Sequence, residues 1–217
     1  MDAAVPRPTV HVVDDDKAFR TAMGRVIGAA GYEFRLYASA IEYLAADVSR
    51  SPACVILDLC MPGPSGLDLQ GALARRDHVH PVIFLTGHGD IPSTVRAMRA
   101  GAIDFLTKPV PTATLLDAIQ RALTRDEQRT RELAHLDQIK LRYGALTPRE
   151  RQVMAGVVAG KLNKQICYAL NAAERTVKTH RARVMEKMAV RSVAELVRRA
   201  EELAAAGVVL EPTPAGL

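Results

Sequence analysis

Tryptophan is missing from this chain, and aromatic residues together make up only 4% of its 217 residues. Binding unpaired nucleic-acid strands by stacking needs aromatic faces, so this composition argues against it. Cysteine is scarce as well. Cys54, Cys60 and Cys167 are scattered and odd in number, which excludes a disulfide frame and zinc-ligand spacing and fits a reducing compartment. No apolar run approaches the ~20 residues that a membrane span needs. The opening MDAAVPRPT carries an acid and two prolines and lacks the apolar centre of a secretory signal. The expected location is cytoplasmic, with no membrane partner. A full glycine fingerprint for nucleotide phosphates is lacking too, and the GAAG at 28–31 reads as the end of a helix.

What is present is enough to build cores: 48% of residues are hydrophobic and 24% charged, an ordinary soluble balance. The length suits one large domain or two small ones. The net charge of +5 is unevenly spread, at −1 over residues 1–124 and +6 over 125–217, with +8 inside 145–200. A basic second half has two readings, a polyanion partner or a solvated basic surface.

In the first half, short apolar runs alternate with helical patterns. Strands are expected over 9–13, 33–37, 53–57, 82–85 and 103–106. Helices are expected over 17–30, 39–48, 67–75, 91–100 and from Pro111 onward. Such alternation predicts a doubly wound parallel sheet covered on both faces, with its functional crevice at the carboxyl ends of the strands. The residues at those ends are chemically complementary. Strand one runs into Asp14, Asp15 and Asp16, strand three into Asp58, strand four into Thr86, and strand five into Thr107-Lys108-Pro109. Asp16 alone reads as a turn or helix cap before Lys17. Crowded carboxylates otherwise repel unless a cation neutralises them. Hard oxygen ligands suit Mg²⁺, and the lysine and hydroxyl suit phosphoryl oxygens. A carboxylate can act as nucleophile toward activated phosphorus.

VVDDD (12–16), LDLCMPGPSG (57–66), FLTGHGD (84–90) and DFLTKP (104–109) together resemble the receiver domain of bacterial two-component response regulators, the CheY-like fold. GHGDIP and Met61-Pro62-Gly63 are most similar to the FixJ branch. The resemblance implies that Asp58 is the phosphoacceptor, that Asp14, Asp15, Asp58 and the Cys60 backbone carbonyl hold Mg²⁺, and that Lys108 pairs with the phosphoryl group. It further implies that Thr86 swings toward that group. Phe105 is then the rotating switch or a plain core aromatic. The family often has a cis bond after strand five, where Lys108-Pro109 stands.

From Pro111 the helical pattern meets no glycine or proline until Gly144. Residues 124–144 read as a helical linker, either a short coiled coil between protomers or a single solvated helix. Beyond it, four helices are expected over 148–159, 163–170, 174–188 and 192–205. Thr147-Pro148 with Glu150, and Ser192 with Glu195, form capping boxes, and Asn171 supplies a left-handed turn. Two short helices joined by a tight turn describe a helix-turn-helix. On the third of these helices Val177, His180, Val184 and Met188 share the inward face. Arg175, Lys178, Thr179, Ala182 and Glu186 share the outward one, with Arg181 and Arg183 at its flanks. The outward face has the reach and chemistry for major-groove base edges, and Lys164 and Thr176 suit phosphates.

LTPRERQVM, GKLNKQI, ERTVKTHRARVMEKM and VRSVAEL resemble the LuxR/NarL-type DNA-binding domain. The resemblance puts Lys178, Thr179 and Ala182 at base-facing positions. Leu162 and Ala173 stand where the family has capping residues, which costs ~1 kcal/mol each. The expected organisation is therefore an α/β receiver at 9–123, the linker, and an all-α domain at 145–206, with tails at 1–8 and 207–217. Such a protein takes a phosphoryl group from a sensor histidine kinase, dimerises, and binds double-stranded promoter DNA, with RNA polymerase a further partner class. Dimerisation would use Ile91–Arg99, strand five and helix five. A phosphohydrolase would place a second Asp two residues after the nucleophile, where this chain has Cys60. A small-molecule-sensing first domain is at odds with the acidic rim. The chain is therefore not expected to be an enzyme beyond self-phosphorylation and autodephosphorylation.

Overall fold

The computed structural model describes residues 8–46, 52–75, 79–87 and 89–211, and the chain divides into two compact units at Arg131–Glu132. The expected tails at 1–8 and 207–217 fall mostly outside these residues.

The first unit is a five-stranded parallel sheet, β1 (Thr9–Val13), β2 (Glu33–Tyr37), β3 (Ala53–Leu57), β4 (Val82–Thr86) and β5 (Asp104–Thr107), in the order β2-β1-β3-β4-β5. Every residue of β3 and β4 is buried, which explains their unbroken apolar sequences. Helices α1 (Lys17–Ala29) and α5 (Thr112–Gly144) supply Met23, Ile27, Leu115, Ile119 and Leu123 to the core on one side of the sheet. Helices α2 (Ala40–Ala45), α3 (Gly66–Leu73) and α4 (Ile91–Arg99) supply Tyr43, Leu69, Leu73 and Ala97 to the other. Each fully buried Leu or Ile contributes roughly 1.5–3 kcal/mol.

Several boundaries differ from expectation, those of the second helix and the fifth strand among them. The second helix stops at Ala45, because Ser39 is its cap rather than its first residue and Ala46 is already extended. Its expected end at Val48 lies outside the described residues. Strand five begins one residue later, at Asp104, after the Ile103 N–H has bonded the Val82 carbonyl at 2.8 Å.

Helix α5 is unbroken for 33 residues. The segment 124–144 is shared between the units. Its Asp126 is fully buried in the first, and Ile139 and Tyr143 belong to the core of the second. Asp126 accepts the Ala53 N–H at 2.9 Å and lies 3.3 Å from Nδ1 of His80. It therefore ties the helix to the start of β3. Asp126→Asn keeps an acceptor for Ala53 and removes the charge, at an expected cost of about 1–2 kcal/mol. A lower urea midpoint for the first unit checks this, and an unchanged midpoint contradicts it.

The second unit adds α6 (Pro148–Val158), α7 (Asn163–Leu170), α8 (Glu174–Lys187) and α9 (Val193–Ala205) around one core. Thr147 and Glu150 form the complete capping box. At α9 the box is only half made, since Ser192 accepts from Glu195 while the Glu195 carboxylate accepts from Arg191, one residue further back. Leu162 and Ala173 give their helices no side-chain cap, and Asn171 takes the left-handed conformation at φ 46°.

Candidate functional site

In a sheet of this order the chain reverses its winding direction between β1 and β3, and the crevice opens at the carboxyl ends of those two strands. Asp14 and Asp58 are the first residues past these ends. The Asp58 N–H donates to the Val13 carbonyl at 2.9 Å, fixing one acid beside the other. Asp14 and Asp58 are buried while Asp15 is exposed, and one oxygen from each of the three lies within 4.8 Å of the others. Asp16 stands apart as the α1 cap, accepting the N–H groups of Ala18 and Phe19.

β5 brings the cation. The Lys108 N–H donates to the Thr86 carbonyl at 2.8 Å, and the Lys108-Pro109 bond is cis. Nζ of Lys108 donates to Asp14 at 2.5 Å and to Asp58 at 3.3 Å. Burial raises the Asp14 pKa, and the Asp58 charge adds to this. The Lys108 ammonium and the Asp16 N–H oppose both. Three carboxylates, one facing water, balanced by a single ammonium form a donor set that fits a hard divalent cation.

Thr86 is the buried last residue of β4. Phe105, half-buried on β5, stacks on Phe84 at 5.8 Å between ring centres. Its ring covers Gly89, where an added Cβ would approach it to 2.7 Å. Cys60 is exposed, and its N–H lies 3.5 Å from Asp58 Oδ1. Gly66 is demanded more strictly, since a Cβ there would come 2.3 Å from the Asp58 carbonyl oxygen. The glycine that opens α3 therefore lets the loop close beneath the acid.

In the second unit, Asn171–Ala173 turn α7 into α8. Val177, Val184 and Met188 are buried and His180 half-buried, while Arg175, Thr176, Lys178, Thr179, Ala182 and Arg183 are exposed. Lys164 is exposed on α7. Arg181 differs, being half-buried with its guanidinium donating to Asn163 Oδ1 at 3.1 Å, so it also braces α8 against α7. Lys178 pairs with Glu174 at 2.9 Å, and the Thr179 hydroxyl donates to the Arg175 carbonyl.

Sequence reasoning missed Phe19, whose ring faces Lys108, and Arg20, which donates to the Asp14 carbonyl. Both lie within one turn of Asp16, so the cap itself was the available signal. It also missed the pair between buried Glu150 and half-exposed Lys187, for which spacing gives no signal.

The response regulator receiver domain family matches residues 10–120, and the family of bacterial regulatory proteins named luxR matches 144–200. Nodulation protein W of Bradyrhizobium diazoefficiens is 43% identical over 200 residues, 92% of this chain and 88% of that protein. Response regulator protein TodT of Pseudomonas putida is 42% identical over 195 residues, 89% of this chain and 86% of that protein. The solved structure of response regulator StyR superposes with a TM-score of 0.83 at 43% identity, covering 91% of this chain and all of that one. A receiver sheet followed by a luxR-type helical domain defines a regulator that couples a signal-accepting unit to a DNA-binding unit. The chain belongs to the two-component response regulators of this type, the group that includes the transcriptional regulatory protein FixJ. FixJ is by name a transcriptional regulatory protein, and TodT and StyR are response regulators. Among the described residues, no helix is long and apolar enough to cross a membrane.

Proposed function

We propose that Asp58 accepts a phosphoryl group from a sensor histidine kinase, and that this modification controls dimerisation and binding to promoter DNA. The observation that supports it best is the meeting of Asp14, Asp15, Asp58 and the Lys108 ammonium at one sheet edge. In the transfer, a carboxylate oxygen of Asp58 forms a bond to phosphorus as the bond to the donor breaks. The leaving group departs with that electron pair and takes up a proton. Asp14, Asp15, Asp58 and the Cys60 carbonyl would hold Mg²⁺, which when bound would supply positive charge to the phosphoryl oxygens. Lys108 donates to one of those oxygens and Thr86 to another, while Phe105 follows Thr86 inward. Hydrolysis of the acyl phosphate by water resets the protein.

We place the receiver at 9–123, the helical linker at 124–144 and the DNA-binding domain at 145–206. Helix α8 enters the major groove with Lys178, Thr179 and Ala182 toward the bases. Lys164, Arg175, Thr176, Arg181 and Arg183 serve the phosphates. Dimerisation of α4, β5 and α5 faces presents two such helices to two half-sites.

The test is incubation of the full chain with acetyl phosphate, with and without Mg²⁺, followed by borohydride reduction and peptide mapping. Mg²⁺-dependent reduction at position 58, with tighter and salt-sensitive DNA binding, is expected. Label at another acid, or label indifferent to Mg²⁺, overturns the assignment.

A further inference from the structure

We infer that Phe19 is a positioning residue for Lys108, its ring forming the third wall around the ammonium. This rests on the reading of Asp58 as phosphoacceptor and concerns the same site. Nζ of Lys108 lies 3.9 Å from the centre of the Phe19 ring, well inside cation–π range. An ammonium has three N–H groups. Two go to Asp14 and Asp58, and the ring covers the remaining side. The Lys108 side chain keeps only 19% of its exposure.

The first turn of α1 is built to hold the ring there. Asp16 accepts the Phe19 N–H at 3.2 Å, Arg20 donates to the Asp14 carbonyl, and Phe19 packs against the core to which α1 and α5 contribute. Carboxylate, ring and ammonium therefore share one fixed frame at the end of β1.

The choice of an aromatic has a chemical consequence. Lysine carries its charge on a flexible four-carbon stem, which must be held before it can meet a phosphoryl oxygen on time. A carboxylate in place of Phe19 would hold the ammonium by a strong directed bond and compete with the phosphoryl group. Water would hold it loosely. The ring face attracts the cation and offers no lone pair, so Lys108 stays in place and remains available to Asp58. A leucine would fill similar volume and lack the attraction.

Full-length wild type, Phe19→Leu, Phe19→Trp and chains with site-specific fluorinated phenylalanines at position 19 are compared in two measurements. The first, without metal, is the proton shift of the Lys108 ε-methylene, which the ring moves upfield. The second is the rate of labelling by acetyl phosphate with Mg²⁺. Phe19→Leu is expected to lose the upfield shift and to label about tenfold more slowly, with Phe19→Trp near wild type. Successive fluorination, which keeps size while draining the ring face, slows labelling step by step. A packing role alone predicts equal rates across the fluorinated series, and that result overturns the inference, as does a wild-type rate in Phe19→Leu. If Asp58→Asn takes up label at wild-type rate, the phosphoacceptor reading fails instead.

Discussion

Asp58→Asn is expected to take up no phosphoryl label and to show no acetyl-phosphate-driven dimerisation or gain in DNA affinity, while remaining as stable as wild type. The loss follows from electronics, since an amide oxygen lacks the free negative charge needed to attack phosphorus. No neighbour can substitute. Asp14 is buried, with one oxygen on Lys108 and the other accepting the Asp16 N–H at 2.9 Å. Asp15 is exposed and Asp16 is committed to capping α1. The retained stability follows from electrostatics, because the lost ion pair to Lys108 is offset by relief of the repulsion that helps to raise the Asp14 pKa. Acid-lability counting of bound phosphate, gel filtration with acetyl phosphate and a thermal melt check the three parts. Undiminished label, or wild-type dimerisation, would sink the idea. A variant that melted well below wild type would refute the electrostatic part.

How much of this was legible before the structure depended on whether a feature leaves a local trace. β3 and β4 were readable because strands buried on both faces must be apolar throughout, and both end where a polar residue meets the crevice. The acids, the threonine and the lysine could be assigned to one rim because parallel strands place all their carboxyl ends on one side. The end of α5 was marked by its first glycine, Gly144. Contacts that depend on distant partners left no such trace. Asp126 reaches Ala53 across 73 residues, and Lys187 reaches Glu150 across 37. Phe19 looked like any apolar residue of an amphipathic helix, since only the folded rim puts a cation over its ring. Gly66 has no local trace of its own either, since only the fold puts the Asp58 carbonyl in the space of its side chain.

Lys187→Met is expected to cost the second unit about 3 kcal/mol at neutral pH, because it leaves a carboxylate buried without its partner. The Glu150 side chain is 2% exposed, and its Oε2 accepts from Lys187 at 2.7 Å and from the Thr147 N–H at 2.8 Å. Burial works to raise the Glu150 pKa, but the Lys187 ammonium and the Thr147 N–H and hydroxyl outweigh it and hold the carboxyl below its ordinary value. A carboxyl whose folded pKa is depressed binds its proton more readily when unfolded. The pair therefore stabilises the wild type above the ordinary glutamate range, and this is lost as pH falls through the lower, folded value. Without Lys187 burial stays and only the Thr147 groups oppose it, so the variant gains less stability than the wild type as pH rises. The two proteins should differ most near neutrality and converge in acid, as pH falls through the lowered Glu150 value. Glu150→Gln leaves behind a half-exposed lysine that can turn to water, and its cost is smaller, about 1 kcal/mol. Because the chain has no tryptophan, urea midpoints are read by far-UV circular dichroism at both pH values. Equal costs for the two substitutions, or a Lys187→Met cost that persists unchanged in acid, would show that the buried charge is not what Lys187 compensates.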